Sequence, residues 1–108
     1  MNQMPHVTVH ELDDDAVLLD VREHDEFDAG HAPRAVHIPL GELPQRLGEI
    51  PDVEQLDVVC RSGGRSARAV AFLLQQGKDV RNVDGGMSAW AAAGKSLTAE
   101  HDGQPVIL

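Results

Sequence analysis

Short runs rich in valine, isoleucine and leucine recur along the chain at Val7–Val9, Ala16–Asp20, Ala35–Pro39, Leu56–Cys60 and Val80–Val83. Turn formers or charged clusters bound each run, which predicts five strands. Between them the period lengthens. Over residues 65–76, Ala67, Val70, Ala71 and Leu74 recur at i, i+3, i+4 and i+7, the stripe of an amphipathic helix, and Gly77 offers its C-terminal stop. Weaker helical patterns cover Glu23–Ala29, ended by Gly30; Gly41–Leu47; and Met87–Ala93, ended by Gly94. Ser96–Leu108 carries no strong period and reads as a tail packed along the surface.

Strands that alternate with helices favour a mainly parallel sheet, because parallel neighbours need crossover connections. The expected class is therefore α/β, with a five-stranded, mainly parallel sheet flanked by helices on both faces. In such sheets, ligands bind beyond the carboxyl ends of the strands. Asp20–Arg22, Pro39–Leu40, Cys60–Arg65 and Asp84–Gly86 each follow a predicted strand, so all four are expected at one sheet edge.

Composition narrows this picture. A chain of 108 residues suits one domain, with a core over about residues 5–95 and the tail over 96–108. Its 42% apolar and 25% charged residues are those of a chain that folds around a core. Aromatics are confined to Phe27, Phe72 and Trp90, so stacking on nucleic-acid bases is not expected, and Trp90 reads as core. The net charge of −9 argues against nucleic acid or an anionic membrane as partner. No apolar run approaches the roughly 20 residues of a membrane span, and Met1–His6 lacks the basic and apolar regions of a secretory signal. The cytoplasm is the expected compartment. The acidic run Glu11–Asp15 reads as a solvated turn.

Against this acidic background, Arg61, Arg65 and Arg68 cluster around the chain's lone cysteine. The plainer alternative is that these arginines solvate a helix start and pair with surface acids. One cysteine excludes an internal disulfide or a dithiol motif. The run Leu56–Val59 leads a buried strand into Cys60, and Cys60-Arg61-Ser62-Gly63-Gly64-Arg65 leads straight into the predicted helix. A thiol at a helix mouth meets unpaired N–H groups and the positive end of the dipole, while Gly63 and Gly64 let the backbone curl around an anion. The same features favour the thiolate, whose free pKa is about 8.5. Cys60 is therefore expected to be nucleophilic near neutrality, where an inert cysteine at a strand end would not be. His31 and His37 have no ligand-like spacing to Cys60, so neither a metal nor another cofactor is expected. Asp20 and Arg22, two apart, read as a pair tying loops together, although an acid or base role for Asp20 is conceivable.

At these residues the chain resembles the rhodanese family. Cys60–Ser66 is similar to the family's active-site loop, Leu18–His31 with Ala35–Pro39 to its N-terminal signature, and Val83–Trp90 to its C-terminal one. The resemblance spans nearly the whole chain in order. It implies a rhodanese-like fold and a thiosulfate sulfurtransferase with Cys60 as catalytic nucleophile, carrying sulfane sulfur as a persulfide. Arg61, Ser62, Gly63, Gly64 and Arg65 are then the substrate-binding residues. Arg61 and Arg65 are suited to hold a departing sulfite, and a cationic loop resembles the thiosulfate-using rather than the mercaptopyruvate-using branch. The partners implied are a small-molecule sulfur donor and a thiophilic acceptor, whether cyanide, a thiol or a protein.

Two other readings compete. A Cys-dependent phosphatase or arsenate reductase shares the fold, but phosphatase loops follow Cys-x5-Arg, and here only four residues separate Cys60 from Arg65. The shorter loop suits a single sulfur better than a phosphate. A non-catalytic binding or regulatory module on the same fold is the second alternative. Inactive family members often lack the cysteine, which this chain retains.

Overall fold

The computed structural model describes residues 4–108; the first three residues of the N-terminal stretch read above lie outside it. Five parallel strands form one sheet: β1 (His6–Val7), β2 (Leu18–Asp20), β3 (Ala35–His37), β4 (Leu56–Val59) and β5 (Val80–Val83), in the spatial order β1-β5-β4-β2-β3. The three α-helices are α1 (His24–Ala29), α2 (Gly64–Gln75) and α3 (Gly86–Ala92). Among the described residues no helix is long and apolar enough to cross a membrane.

The continuous apolar runs are explained by burial on both sheet faces. Successive residues point to opposite sides. Leu19 and Val58 join α2's Ala69, Val70 and Leu73 in one core, whereas Leu18 and Val59 join Val83, Met87 and Trp90 of the α3 side in the other. Trp90 is fully buried, and its indole N–H donates to the Ser96 carbonyl at 2.9 Å.

Several expectations shift on contact with the fold. The stripe of α2 is rotated by one residue from Ala67, Val70, Ala71 and Leu74: Ser66, Ala69, Val70 and Leu73 are buried, while Leu74 is exposed. Small alanines at 67, 69 and 71 made the stripe ambiguous, and packing against β4 and β5 settled it. The helix expected over Gly41–Leu47 is 3-10 at Leu40–Gln45, with a further 3-10 turn at Leu47–Glu49. Pro44 lies within it and removes a donor that an α-helix would use. The expected strand Val7–Val9 ends at Val7, and Val9–Glu11 turns as a 3-10 helix. In the acidic run, Asp14 accepts bonds from the Ser96 backbone N–H and hydroxyl, both at 2.8 Å, so it anchors the tail rather than merely facing water.

The tail itself packs back across α1. His31 and Thr98 exchange backbone bonds at 2.8 Å each, and the Val106 N–H donates to the Ala29 carbonyl at 2.9 Å. Gly30 makes this possible, since a Cβ there would stand 2.4 Å from the Val106 carbonyl oxygen.

Candidate active site

Because all five strands run parallel, their carboxyl ends share one edge, as do the four loops that follow them. At that edge β4 delivers Cys60, only 1% exposed, into the turn that opens α2. Gly63 takes φ +121°, a conformation that favours glycine, and its N–H points back to the Cys60 sulfur at 3.0 Å. The Ser66 hydroxyl lies 3.3 Å from the same sulfur.

The loop is held from outside by α3. The N–H groups of Met87 and Ser88 donate to the carbonyls of Cys60 and Arg61 at 2.8 and 2.9 Å. A trans peptide sets each carbonyl opposite the following N–H, so the N–H groups of Arg61 and Ser62 are turned away from α3. Gly86 makes the approach possible. It sits at φ +54°, and a Cβ there would lie 2.3 Å from the Cys60 carbonyl oxygen. The expected tight turn at Asp84–Gly86 thus braces the cysteine loop.

Burial pushes the Cys60 thiol up, but the Ser66 hydroxyl and the N–H groups of Ser66, Gly63 and Ser62 outweigh it and hold the pKa below the usual thiol value. The hydrogen-bond donors that favour the thiolate therefore come from the loop backbone and a serine, rather than from the arginines that the sequence brought forward.

Those arginines are engaged elsewhere. Arg65 makes a two-pronged ion pair with Glu26 of α1, at 2.6 and 2.8 Å, and this bond holds the Glu26 carboxyl down to about 2. Arg61, on the exposed side of the loop, donates from Nε to the Leu108 carbonyl. Ser62 and Gly64 are exposed in the loop.

Asp20 and Arg22 form a fully buried pair at 2.6 Å, and Arg22 also donates to the carbonyls of Glu26 and Gly30. It therefore ties β2 to the middle and the C-terminal end of α1. His31 and His37 stack on either side of Phe27, with ring centroids 3.8 and 4.4 Å away. Among the described residues no group of three or more His, Cys, Asp or Glu side chains could hold a metal ion.

Two residues escaped the sequence reading, Ser66 as a sulfur contact and Asn82. Asn82 lies on β5, in register with Val58, and faces both Ser66 and the Gly63 carbonyl. A serine on the apolar stripe of α2 was a usable signal for Ser66. Nothing local marks Asn82, which reaches the loop only through the order of strands. It also lines an open groove of about 490 Å³ beside the loop, with Met4, His6, Ala67 and Asp84. A smaller cavity of about 260 Å³ opens at the opposite sheet edge, near Leu56 and Val80, away from the cysteine.

The rhodanese-like domain family matches residues 5–93. A sulfurtransferase of Allochromatium vinosum is 40% identical over 87 residues, which cover 80% of this chain and 81% of that protein. Among solved structures, a rhodanese-related protein of Thermoplasma volcanium superposes with a TM-score of 0.79 at 31% identity, covering 87% of this chain and 97% of that one. A rhodanese-like domain protein of Staphylococcus aureus gives 0.75 at 34% identity, covering 89% and 100%. With the parallel sheet, the cysteine loop and its α3 brace in the same chain, this protein belongs to the rhodanese-like domain family.

Proposed function

We propose that this protein is a sulfurtransferase of the thiosulfate-using kind, carrying sulfane sulfur as a persulfide on Cys60. The observation that carries the reading is the Cys60 sulfur at the floor of the loop, with the Gly63 N–H at 3.0 Å and its pKa drawn down by loop donors. A buried thiolate so placed is a nucleophile with its negative charge already provided for.

In the first half-reaction the thiolate attacks the outer sulfur of thiosulfate. A sulfur–sulfur bond forms to Cys60 as the donor's own sulfur–sulfur bond breaks, and sulfite leaves with the bonding pair. The charge that sat on Cys60 then resides on the outer sulfur, where the N–H groups of the Cys60–Arg65 loop can receive it. In the second half-reaction a thiolate, cyanide or an acceptor protein attacks that outer sulfur, and Cys60 leaves as the thiolate it began as.

Arg61 is the cation we assign to the departing sulfite. Its side chain lies on the exposed side of the loop, where its Nε donates to the main-chain oxygen of Leu108, a contact that an arriving anion would displace. Arg65 acts through position: its bond to Glu26 fixes the first turn of α2. A phosphate-cleaving role draws less support, since the arginine closing the loop is occupied by a carboxylate instead of facing an oxyanion.

Mass spectrometry of the intact protein tests this. Thiosulfate treatment is expected to add the mass of one sulfur atom, and Cys60→Ser to abolish the addition. A wild type that stays unmodified across several sulfur donors returns the chain to the non-catalytic reading, and so does modification that survives in Cys60→Ser.

A further inference from the structure

The Ser66 hydroxyl has one proton and three acceptors within reach: the Cys60 sulfur at 3.3 Å, the Gly63 carbonyl at 3.2 Å and Asn82 Oδ1 at 2.5 Å. Which one receives it is settled by the far side of the Asn82 amide. The Gly63 carbonyl can only accept, so the Asn82 group 3.2 Å from it is the NH2, and Oδ1 faces Ser66. Oδ1 can only accept as well. The Ser66 proton is therefore spent on Asn82, and Ser66 turns a lone pair, not a proton, toward the sulfur. That arrangement suits a thiol, whose S–H can donate to Ser66. A thiolate, already served by the Gly63 N–H, gains a further donor only when the Ser66 proton turns to it.

We propose that Asn82 is a positioning residue that sets the direction of the Ser66 hydroxyl proton, and thereby whether the Cys60 sulfur faces an acceptor or a donor. The inference rests on the reading of Cys60 as the sulfur carrier and adds a control on when it becomes nucleophilic. With the sulfur protonated, a chain runs from the Cys60 S–H to Ser66 and from the Ser66 O–H to Asn82. When the thiol gives its proton to solvent, the Ser66 O–H swings from Oδ1 to the sulfur, and Asn82 keeps its bond to Gly63. Once a persulfide forms, the charge moves to the outer sulfur and Ser66 can return to Asn82. Asn82 is thus a brake on the thiolate, released when the thiol ionises and set again once sulfur is loaded.

The surrounding charged groups each hold another partner: Arg65 has Glu26, Arg22 has Asp20, Asp84 has His6 at 2.7 Å, and Arg61 has the Leu108 carbonyl. None of these pairs includes Ser66 or Asn82, so the substitutions below leave them in place. Gly63 also keeps a donor when Asn82 is removed, since the Ala67 N–H reaches its carbonyl at 3.1 Å.

The chain suits a direct titration, because it has one cysteine and no tyrosine to mask the ultraviolet absorbance of the thiolate. Without any sulfur donor present, Asn82→Leu is expected to lower the Cys60 midpoint by about half a pH unit or more, the scale of one hydrogen bond. Ser66→Ala is expected to raise it. In the Ser66→Ala background, Asn82→Leu is expected to shift nothing further. A rise in Asn82→Leu, or an equal shift in both backgrounds, overturns the proposal. Independently of how the variants fold, the wild-type Asn82 side-chain amide resonances are expected to titrate with the same midpoint as the thiolate. An amide that does not move across that transition also overturns it. Because sulfur loading enters none of these measurements, their failure is separable from failure of the persulfide reading.

Discussion

A methyl group is enough to disturb the cysteine loop. Gly86 lets α3 close on the carbonyls of Cys60 and Arg61, and an added Cβ would meet backbone atoms that have no rotamer with which to yield. It would also take a positive φ without glycine's freedom. Gly86→Ala is therefore expected to lower unfolding free energy by about 2–4 kcal/mol, measured by denaturant titration, and to slow persulfide loading of the fraction that folds. At this scale the sequence was informative about identity and poor about partners. Cys60, Gly63 and Gly86 stand in recognisable local strings. The partner of Arg65 is Glu26, distant in the chain, and no local pattern tells a paired arginine from one facing the site. The same holds for Asn82, whose contact with Ser66 exists only because β5 lies beside β4.

Elements were legible where their periods were long and their ends punctuated. The five strands and the helices after Cys60 and Gly85 fell where apolar runs and glycines placed them. The failures have local causes, such as Pro44 turning a helical pattern into a 3-10 segment and an alanine-rich stripe that fitted two rotations of α2. Between elements, the pair of Glu26 and Arg65 joins α1 to α2 across the mouth of the site. The Glu26 carboxyl is held down to about 2, chiefly by its bond to Arg65 and against the opposing effect of burial. A carboxyl whose folded pKa is depressed stabilises the fold fully above its unfolded pKa of about 4.3, and that stabilisation drains away as pH falls toward the folded value. At neutral pH, Glu26→Gln is expected to cost about 1–2 kcal/mol, discounted for the partly exposed pair. The gap between wild type and variant should close between about pH 4.5 and 2. Thermal melts across that range check both the size and the sign. A gap that widens on acidification would mean that the carboxylate destabilises the fold.

Over the whole molecule the net charge of −9 opposes the approach of any anion. A thiosulfate dianion must reach the loop against that field, whose range shrinks to about 8–10 Å at physiological salt. The second-order rate of persulfide loading from thiosulfate is expected to rise several-fold as ionic strength goes from low to physiological. Loading from a zwitterionic donor of no net charge, such as cysteamine persulfide, should stay nearly flat. Stopped mass-spectrometric sampling in the two donor series tests this, and a thiosulfate rate that falls with salt would show that local cations dominate capture.

The strand order carries a consequence for how the chain reaches its native state. β5 lies between β1 and β4, so β1 at residues 6–7 has no partner in the sheet until residues 80–83 have been made. β2, β3 and β4 can pair as soon as residue 59 is available, but the other half of the sheet waits on nearly the whole chain. During synthesis the β4 edge therefore stays open, with the cysteine at its end, until β5 docks. Sheets closed by such distant pairings fold slowly for their size. α3 follows β5 directly in the chain, so the brace on the Cys60 and Arg61 carbonyls arrives in the same closing event. The cysteine loop is thus completed at the last step of folding, and a nascent chain short of β5 holds its thiol without the α3 brace or the Asn82 contact.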